Sequence, residues 1–379
     1  MSWQSVALGE ITSMKYGKLP PKESGEADDY PIFTGYRLSG FSKEYLYEDS
    51  EVIVVARGVG GTGDVKMSPS KCWITNLSIV LSVNPLQIHK RFLFYRLGQE
   101  PLKEKLNTGA AQAQITIESL APYRITIPAF DLQRGIADIL TSYDDLIENN
   151  RRRMALLEES ARLLYHEWFV RLRFPGYEHT PIVNGVPQGW ERKTLGQLTS
   201  FLKRGISPNY DDEADGLVIN QKCIRDGRVN LELARNQSKE VKPERVLQIG
   251  DVLVNSTGEG TLGRVGQVKV ALVNCTVDTH VTIVRPDEKI GRHYFGQALM
   301  DWEPRFSTMG KGATNQTELS PAAIGETAVL VPSHTLQAQF EAFAEPLYVQ
   351  VSNLAIQNQK LRTTRDLLLP RLMSGELAV

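Results

Sequence analysis

Two stretches, residues 131 to 170 and 336 to 373, carry apolar residues alternately four and three apart. A chain that writes this pattern twice is committed to long helices that bury a narrow seam. The first seam runs Ile136, Leu140, Tyr143, Ile147, Asn150, Met154, Leu157, Ala161, Leu164 and Trp168; the second runs Phe340, Ala344, Leu347, Val351, Leu354, Asn358, Leu361, Arg365, Leu368 and Leu372. Centring one on the other in antiparallel order faces Ile136 with Leu372 and Asn150 with Asn358. A buried amide needs a partner, so the spacing predicts an intramolecular antiparallel coiled coil in which the two asparagines meet and set the register. At 1.5 Å per residue each helix is a rod of about 60 Å. Pro346 predicts a fresh helix after a break at Glu345, and Pro370 a kink or an end.

Each helix comes after a segment of mixed β-rich runs and turns, and the second segment repeats the first. WQSVALG (Trp3 to Gly9) matches WERKTLG (Trp190 to Gly196), and Val52 to Val65 aligns without gaps on Val252 to Val265. Thr75 to Val80 matches Thr279 to Val284, Gly109 to Thr116 matches Gly312 to Leu319, and Ile127-Pro128 and Leu132-Gln133 match Val331-Pro332 and Leu336-Gln337. Collinear duplication predicts a pseudo-twofold α+β protein: two similar globular units separated by two long helices. The boundaries fall at 1–128, 129–171 (first helix), 172–188 (a proline- and glycine-rich linker), 189–332 and 333–379. In the first unit, Glu51 to Ala56, Trp73 to Val83 and Tyr123 to Ile127 read as strands, and Arg91 to Leu106 as a helix interrupted by Pro101.

With 43 Lys plus Arg against 44 Asp plus Glu in 379 residues, the net charge is −1, which excludes holding a polyanion by bulk charge alone. Cys72, Cys223 and Cys275 are far apart, without metal-ligand spacing, and read as reduced core thiols. The N-terminus lacks an apolar leader core and no run approaches the ~20 apolar residues of a membrane span, so a soluble, cytoplasmic chain is expected. Arg151, Arg152 and Arg153 read as solvated helix surface, or as a contact for phosphates or an acidic partner.

Gly58-x-Gly60-x-x-Gly63 and Gly258-x-Gly260-x-x-Gly263 both have dinucleotide-fingerprint spacing. The residues after each motif are rich in β-branched side chains, however, where the fingerprint needs a helix opening on the last glycine. Both read as glycine turns between strands. No nuclease, methyltransferase, nucleophile-elbow or metalloprotease motif is present, and the six histidines are scattered. We therefore expect neither catalytic residues nor a metal site.

What remains is loop chemistry suited to base edges, because Gln and Asn bond adenine bidentately while Lys and Arg suit guanine or phosphate. Candidate DNA-binding residues are Lys15, Lys18, Tyr36, Arg57, Gln112 and Gln114 in the first unit. In the second they are Lys203, Arg204, Asn209, Gln221, Lys222, Lys311, Asn315 and Gln316.

The whole plan, two diverged units each ending in an I-P or V-P step, then L-Q, then a long helix, with a tail reading LLLPRLMSGEL, resembles the DNA-specificity subunit of type I restriction-modification systems. Gly250 to Gly266 (GDVLVNSTGEGTLGRVG) is similar to that family's strand and glycine turn. The resemblance implies two target-recognition domains, each reading half of a split double-stranded DNA sequence, with the helices fixing the gap. It also implies partners: two modification subunits carrying S-adenosylmethionine, and restriction subunits using ATP and Mg. The chain itself would be a non-catalytic address. Two other readings compete: a coiled-coil adaptor that joins proteins without touching DNA, and a nucleotide-binding enzyme using the paired glycine loops.

Overall fold

The computed structural model describes the chain except residues 1–2, 22–24, 28, 59–60, 110–111, 313–316 and 378. It divides into two compact units, 1–149 with 358–379, and 150–357, so the division falls inside both long helices.

Among the described residues the first unit holds nine strands: β1 (Gln4–Ala7), β2 (Thr12–Tyr16), β3 (Tyr30–Phe33), β4 (Leu38–Ser42), β5 (Val52–Val55), β6 (Val65–Met67), β7 (Trp73–Ile74), β8 (Ser78–Val83) and β9 (Arg124–Ile127). They form a four-stranded sheet ordered β2-β8-β5-β6, a three-stranded sheet β4-β3-β7 and the antiparallel pair β1-β9. Strand β5 is central in its sheet and all four of its residues are buried, which is why EVIVVA is an unbroken apolar run with no alternation. Helices α1 (Lys90–Gly98) and α2 (Leu102–Leu106) are parted at Pro101, as the sequence predicts.

The second unit builds the same thing again. The strands that correspond to those of the first unit are β10 (Glu191–Thr194), β11 (Thr199–Arg204), β12 (Gly216–Ile219), β13 (Arg235–Gln237), β14 (Val252–Asn255), β15 (Val265–Gln267), β16 (Cys275–Val277), β17 (Val281–Pro286) and β18 (Ala328–Val331), and two short hairpins, Ile182–Val183 with Val186–Pro187 and Ile224–Arg225 with Arg228–Val229, are additional. They pair as β11-β17-β14-β15, β13-β12-β16 and β10-β18. Two of the aligned segments are nevertheless one residue out of register. Val54 faces Ile79 whereas Val254 faces Thr282, so Ile79, not Ser78, is the counterpart of Thr282. Likewise Ile115 and Leu319 each donate their backbone N–H to the residue after the central strand, Ala56 and Ser256. Gln114 therefore corresponds to Glu318, and the second unit's loop is one residue longer. Strand side chains have period two, so a single slip exchanges inward and outward faces, and only pairing detects it.

Both glycine motifs lie in hairpin turns, joining β5 to β6 and β14 to β15, and no helix opens on the last glycine. Gly63 and Gly263 have φ of +92° and +77°, and a Cβ there would fall 2.7 Å from the Lys103 nitrogen and 2.3 Å from the Ser307 nitrogen. The motif thus reflects a left-handed turn pressed against a helix end.

The long helices are α3 (Phe130–Tyr165), closed by a π-helical turn (His166–Val170), and α5 (His334–Met373), with α4 (Arg292–Phe306) between them in sequence. The break expected at Glu345 is absent: α5 runs through Pro346 and Pro370 to Met373. Proline removes one N–H but its fixed φ suits a helix, and here Ala344 and Tyr348 on either side are buried, so packing outweighs the lost bond.

Within each unit the two helices run antiparallel. In the first, Asn358 Nδ2 donates to the Ile147 carbonyl at 3.3 Å, Arg365 Nη1 to Asp144 Oδ1 at 2.5 Å, and Leu372 packs in one core with Ile136 and Leu140. Asp144 also accepts from the Tyr95 hydroxyl of α1 at 2.6 Å, which gives the charged seam position Arg365 its counterion. In the second unit Asn150 Nδ2 donates to Gln357 Oε1 at 3.2 Å, and the Tyr165 and Phe340 rings lie 6.3 Å apart. Beyond Ala161 the seam slips: Tyr165 and Phe169 are buried where Leu164 and Trp168 were expected, Tyr165 already one α-helical i,i+4 step beyond Ala161 and Phe169 within the π turn that follows. Phe169 then joins Trp190, Tyr294 and Phe340 in an aromatic core, with centroids 4.9 Å from Tyr294 and 5.2 Å from Phe340.

The repeated L-Q step has a structural reason. Gln133 and Gln337 are buried on the first turns of α3 and α5. Each amide Nε2 donates to the carbonyl of the preceding proline, Pro128 or Pro332, at 2.9 Å. Each Oε1 accepts from the N-cap residue of an earlier helix of the unit, α1 or α4: the His89 nitrogen at 2.9 Å or the Gly291 nitrogen at 3.1 Å. A second tie holds the sheets of the second unit to α3: Glu158 accepts from Lys269 Nζ at 2.7 Å and from Arg228 Nε at 2.8 Å. Burial pushes the Glu158 carboxyl up, but the two cations outweigh it and hold it below its usual range.

Substitutions at these two ties should be costly. Gln133→Leu keeps the volume but strands a buried carbonyl and N–H, and should cost about 2 kcal/mol in urea unfolding. Glu158→Ala leaves the buried Lys269 without a counterion and should cost about 3 kcal/mol. Because the folded Glu158 pKa is depressed, its contribution is present above the unfolded carboxylate range and lost on acidification. The gap between wild type and Glu158→Ala should therefore close as pH falls below about 4.

Candidate nucleic-acid interface

In each unit the strand ends gather five loops at one end of the two larger sheets, and the same backbone hydrogen bonds tie them. Gly17 and Gly205 donate to Ser78 and Val281, at 3.0 and 3.1 Å. Lys18 and Ile206 donate to Ile74 and Val277, and Thr75 and Asp278 to Phe33 and Ile219. Ala56 and Ser256 donate to Leu77 and His280, both at 2.8 Å. The sequence copies therefore converge on one scaffold, whose tips differ.

In the first unit this end brings together Lys18, Tyr36, Arg57, Gln112 and Gln114, with Lys15 exposed on the adjoining edge strand β2 opposite Val80. The Tyr36 ring lies over the glycine turn, where a Cβ at Gly58 would meet its hydroxyl at 1.8 Å and one at Gly61 its Cε1 at 2.4 Å. Its hydroxyl donates to the Arg57 carbonyl at 2.5 Å. Burial, then the Asp64 carboxylate, raises the Tyr36 pKa, so it is a neutral donor at ordinary pH. Arg57 and Gln114 face each other in an antiparallel bridge.

The second unit gathers Arg204, Gln221, Lys222 and Lys311. Gln221 occupies the place of Tyr36: it comes after the middle strand of the three-stranded sheet, and its carbonyl accepts from Asn255 Nδ2 at 3.0 Å beside the glycine turn. Lys222 and Lys311 are exposed, and Lys203 stands on β11 where Lys15 stands on β2, its ammonium 5.7 Å from the Phe201 ring. Asn209 lies outside the gathering, in a stretch paired to Ser238 through its carbonyl. Arg204 is taken up internally, its Nη2 2.6 Å from Glu318 Oε1, so it braces the loops. Asn315 and Gln316 lie outside the described residues.

Sequence reasoning missed Thr257 and His280, whose Oγ1 and Nδ1 are 2.6 Å apart with the imidazole exposed. The out-of-register alignment hid them by pairing His280 with Asn76, when it corresponds to Leu77. Beneath them Asp278 is buried, which pushes its carboxyl up, and it accepts from the His280 nitrogen at 2.9 Å. Cys72, Cys223 and Cys275 are buried thiols. Arg151, Arg152 and Arg153 are exposed on α3.

Both loop ends are polar, and no described cluster of His, Cys, Asp or Glu could hold a metal ion. Such surfaces suit reading a groove edge. Residues 1–159 match the family described as Type I restriction modification DNA specificity domain. The chain is 24% identical over 306 residues to the type I restriction enzyme MjaIX specificity subunit of Methanocaldococcus jannaschii, covering 76% of this chain and 69% of that one. It is 22% identical over 337 residues to the type I restriction enzyme HindI specificity subunit of Haemophilus influenzae, covering 70% and 71%. Its fold is that of the S subunit crystal structure from M. genitalium, with a TM-score of 0.64, 19% identity and coverage of 98% and 96%. The chain is thus similar, in its first 159 residues by family model and along most of its length by sequence, to DNA-specificity subunits of type I restriction-modification systems, and it shares the fold of one of them.

Proposed function

We propose that the loop-bearing end of each unit reads one half of a split sequence in double-stranded DNA, and that the paired helices fix the unread gap between the halves. The observation that carries this is the repeated scaffold with unlike tips: the same strand order and the same loop ties, but Tyr36, Arg57 and Gln114 in one unit against Gln221, Thr257 and Glu318 in the other. A scaffold kept while its tips vary is what reading two different half-sites requires. In this reading residues 1–128 and 189–332 are the target-recognition domains, and 129–171 and 333–379 the spacer helices.

The chain is then a non-catalytic, cytoplasmic subunit. Two modification subunits would bring S-adenosylmethionine, and restriction subunits ATP and Mg. The net charge of −1 fits an assembly in which partners supply much of the phosphate contact.

Co-expression with its modification subunit, followed by genome-wide mapping of methylated bases, should yield one bipartite motif. Replacing residues 189–332 by the same unit of another specificity subunit should change one half of that motif and leave the other half intact. A stable complex that methylates without a split motif would contradict the reading.

A further inference from the structure

Arg57 and Gln114 stand directly opposite each other at the first unit's loop end. The backbone around both is tied down. The Arg57 carbonyl accepts from the Tyr36 hydroxyl at 2.5 Å. The Gln114 N–H donates to Asn107 Oδ1 at 2.9 Å, and its carbonyl accepts from the Thr108 N–H at 2.8 Å. On either side, the Ile115 N–H donates to the Ala56 carbonyl at 2.8 Å, and Thr62 Oγ1 to the Ala113 carbonyl at 3.3 Å. Their side chains, by contrast, make no hydrogen bond or ion pair among the described residues.

The equivalent pair in the second unit shows the opposite. Glu318 is held by Arg204, and Thr257 by His280. The corresponding side chains are taken up by neighbours there, whereas in the first unit they stand open among the described residues.

Residues directly opposite in an antiparallel bridge project from one face with Cβ atoms about 5 Å apart. That spacing lies between one and two ~3.4 Å rises of stacked base pairs, so two long side chains entering a major groove from it can converge on neighbouring steps. A guanidinium bonds guanine O6 and N7 as a fork, and a carboxamide bonds adenine N6 and N7. We propose that Arg57 and Gln114 are a base-reading pair of the first unit, and that its half-site contains a G·C pair directly beside an A·T pair, guanine read by Arg57 and adenine by Gln114. This rests on the reading of the loop ends as DNA-facing.

The test selects bound duplexes from a randomised library with the chain assembled with its modification subunits. Arg57→Ala should lose discrimination at one G·C position, and Gln114→Ala at the adjoining A·T position, each by roughly five- to a hundred-and-fifty-fold against the wrong base. The other half-site and the gap should stay unchanged. Arg57→Lys, which keeps the charge but not the fork, should also relax the guanine position, and unchanged thermal midpoints show that the variants fold. Weakened binding to all sequences alike would make Arg57 a phosphate contact and overturn the proposal, as would relaxed positions that are not neighbours, or none. If the wild-type assembly itself selects no sequence, the reading of the chain as a DNA address falls instead.

Discussion

A buried glutamine amide sits where each globular unit hands over to its long helix, and the unit's geometry depends on it. Gln133 and Gln337 each bond backward to a proline carbonyl and across to the backbone nitrogen of the N-cap residue of an earlier helix. Segments far apart in sequence are thereby fixed to one side chain. An amide is the side chain for this task, because it offers a donor and an acceptor on one planar group and can face two partners at once. The second unit adds Glu341, whose carboxylate accepts from the nitrogens of His293 and Tyr294 at 3.0 and 2.9 Å and so meets the positive end of α4. The first unit has Ala137 at that place and relies on the glutamine.

On that anchor the remaining packing is laid in layers. The helix seams leave their units buried on one side, with Asp144 shared between Tyr95 and Arg365 in one unit and Glu158 between Lys269 and Arg228 in the other. Each carboxylate ties a long helix to sheet or helix residues of its own unit. A recognition surface carried on loops is useful only if the loops are positioned by something rigid. Here the positioning is done by backbone hydrogen bonds that recur in both copies, so side chains at the tips are free to differ without disturbing the sheets.

The paired glycine motifs illustrate how spacing misleads without context. Three glycines at dinucleotide-fingerprint intervals serve a hairpin that must turn through positive φ and lie against a helix end. In the first unit Gly58 and the neighbouring Gly61 also seat the Tyr36 ring. The strand-like residues beyond them, not the glycines, carried the correct reading.

The two long helices, the duplication and its order, the apolar central strands, the hairpin nature of the glycine turns and most residues of the loop ends were all legible in the sequence. These are local or periodic features, and periodicity survives divergence because burial enforces it. The register of the repeat was not legible, since the equivalence of Ile79 with Thr282 is visible only in the ladders that pair them with Val54 and Val254. Nor was the pairing of Arg204 with Glu318 while the Arg57 side chain has no partner among the described residues, because partner choice depends on which loops meet. Folding in three dimensions also settled that α5 continues through Pro346 and that the seam slips to Tyr165 and Phe169, where packing against residues distant in sequence outweighs local preference.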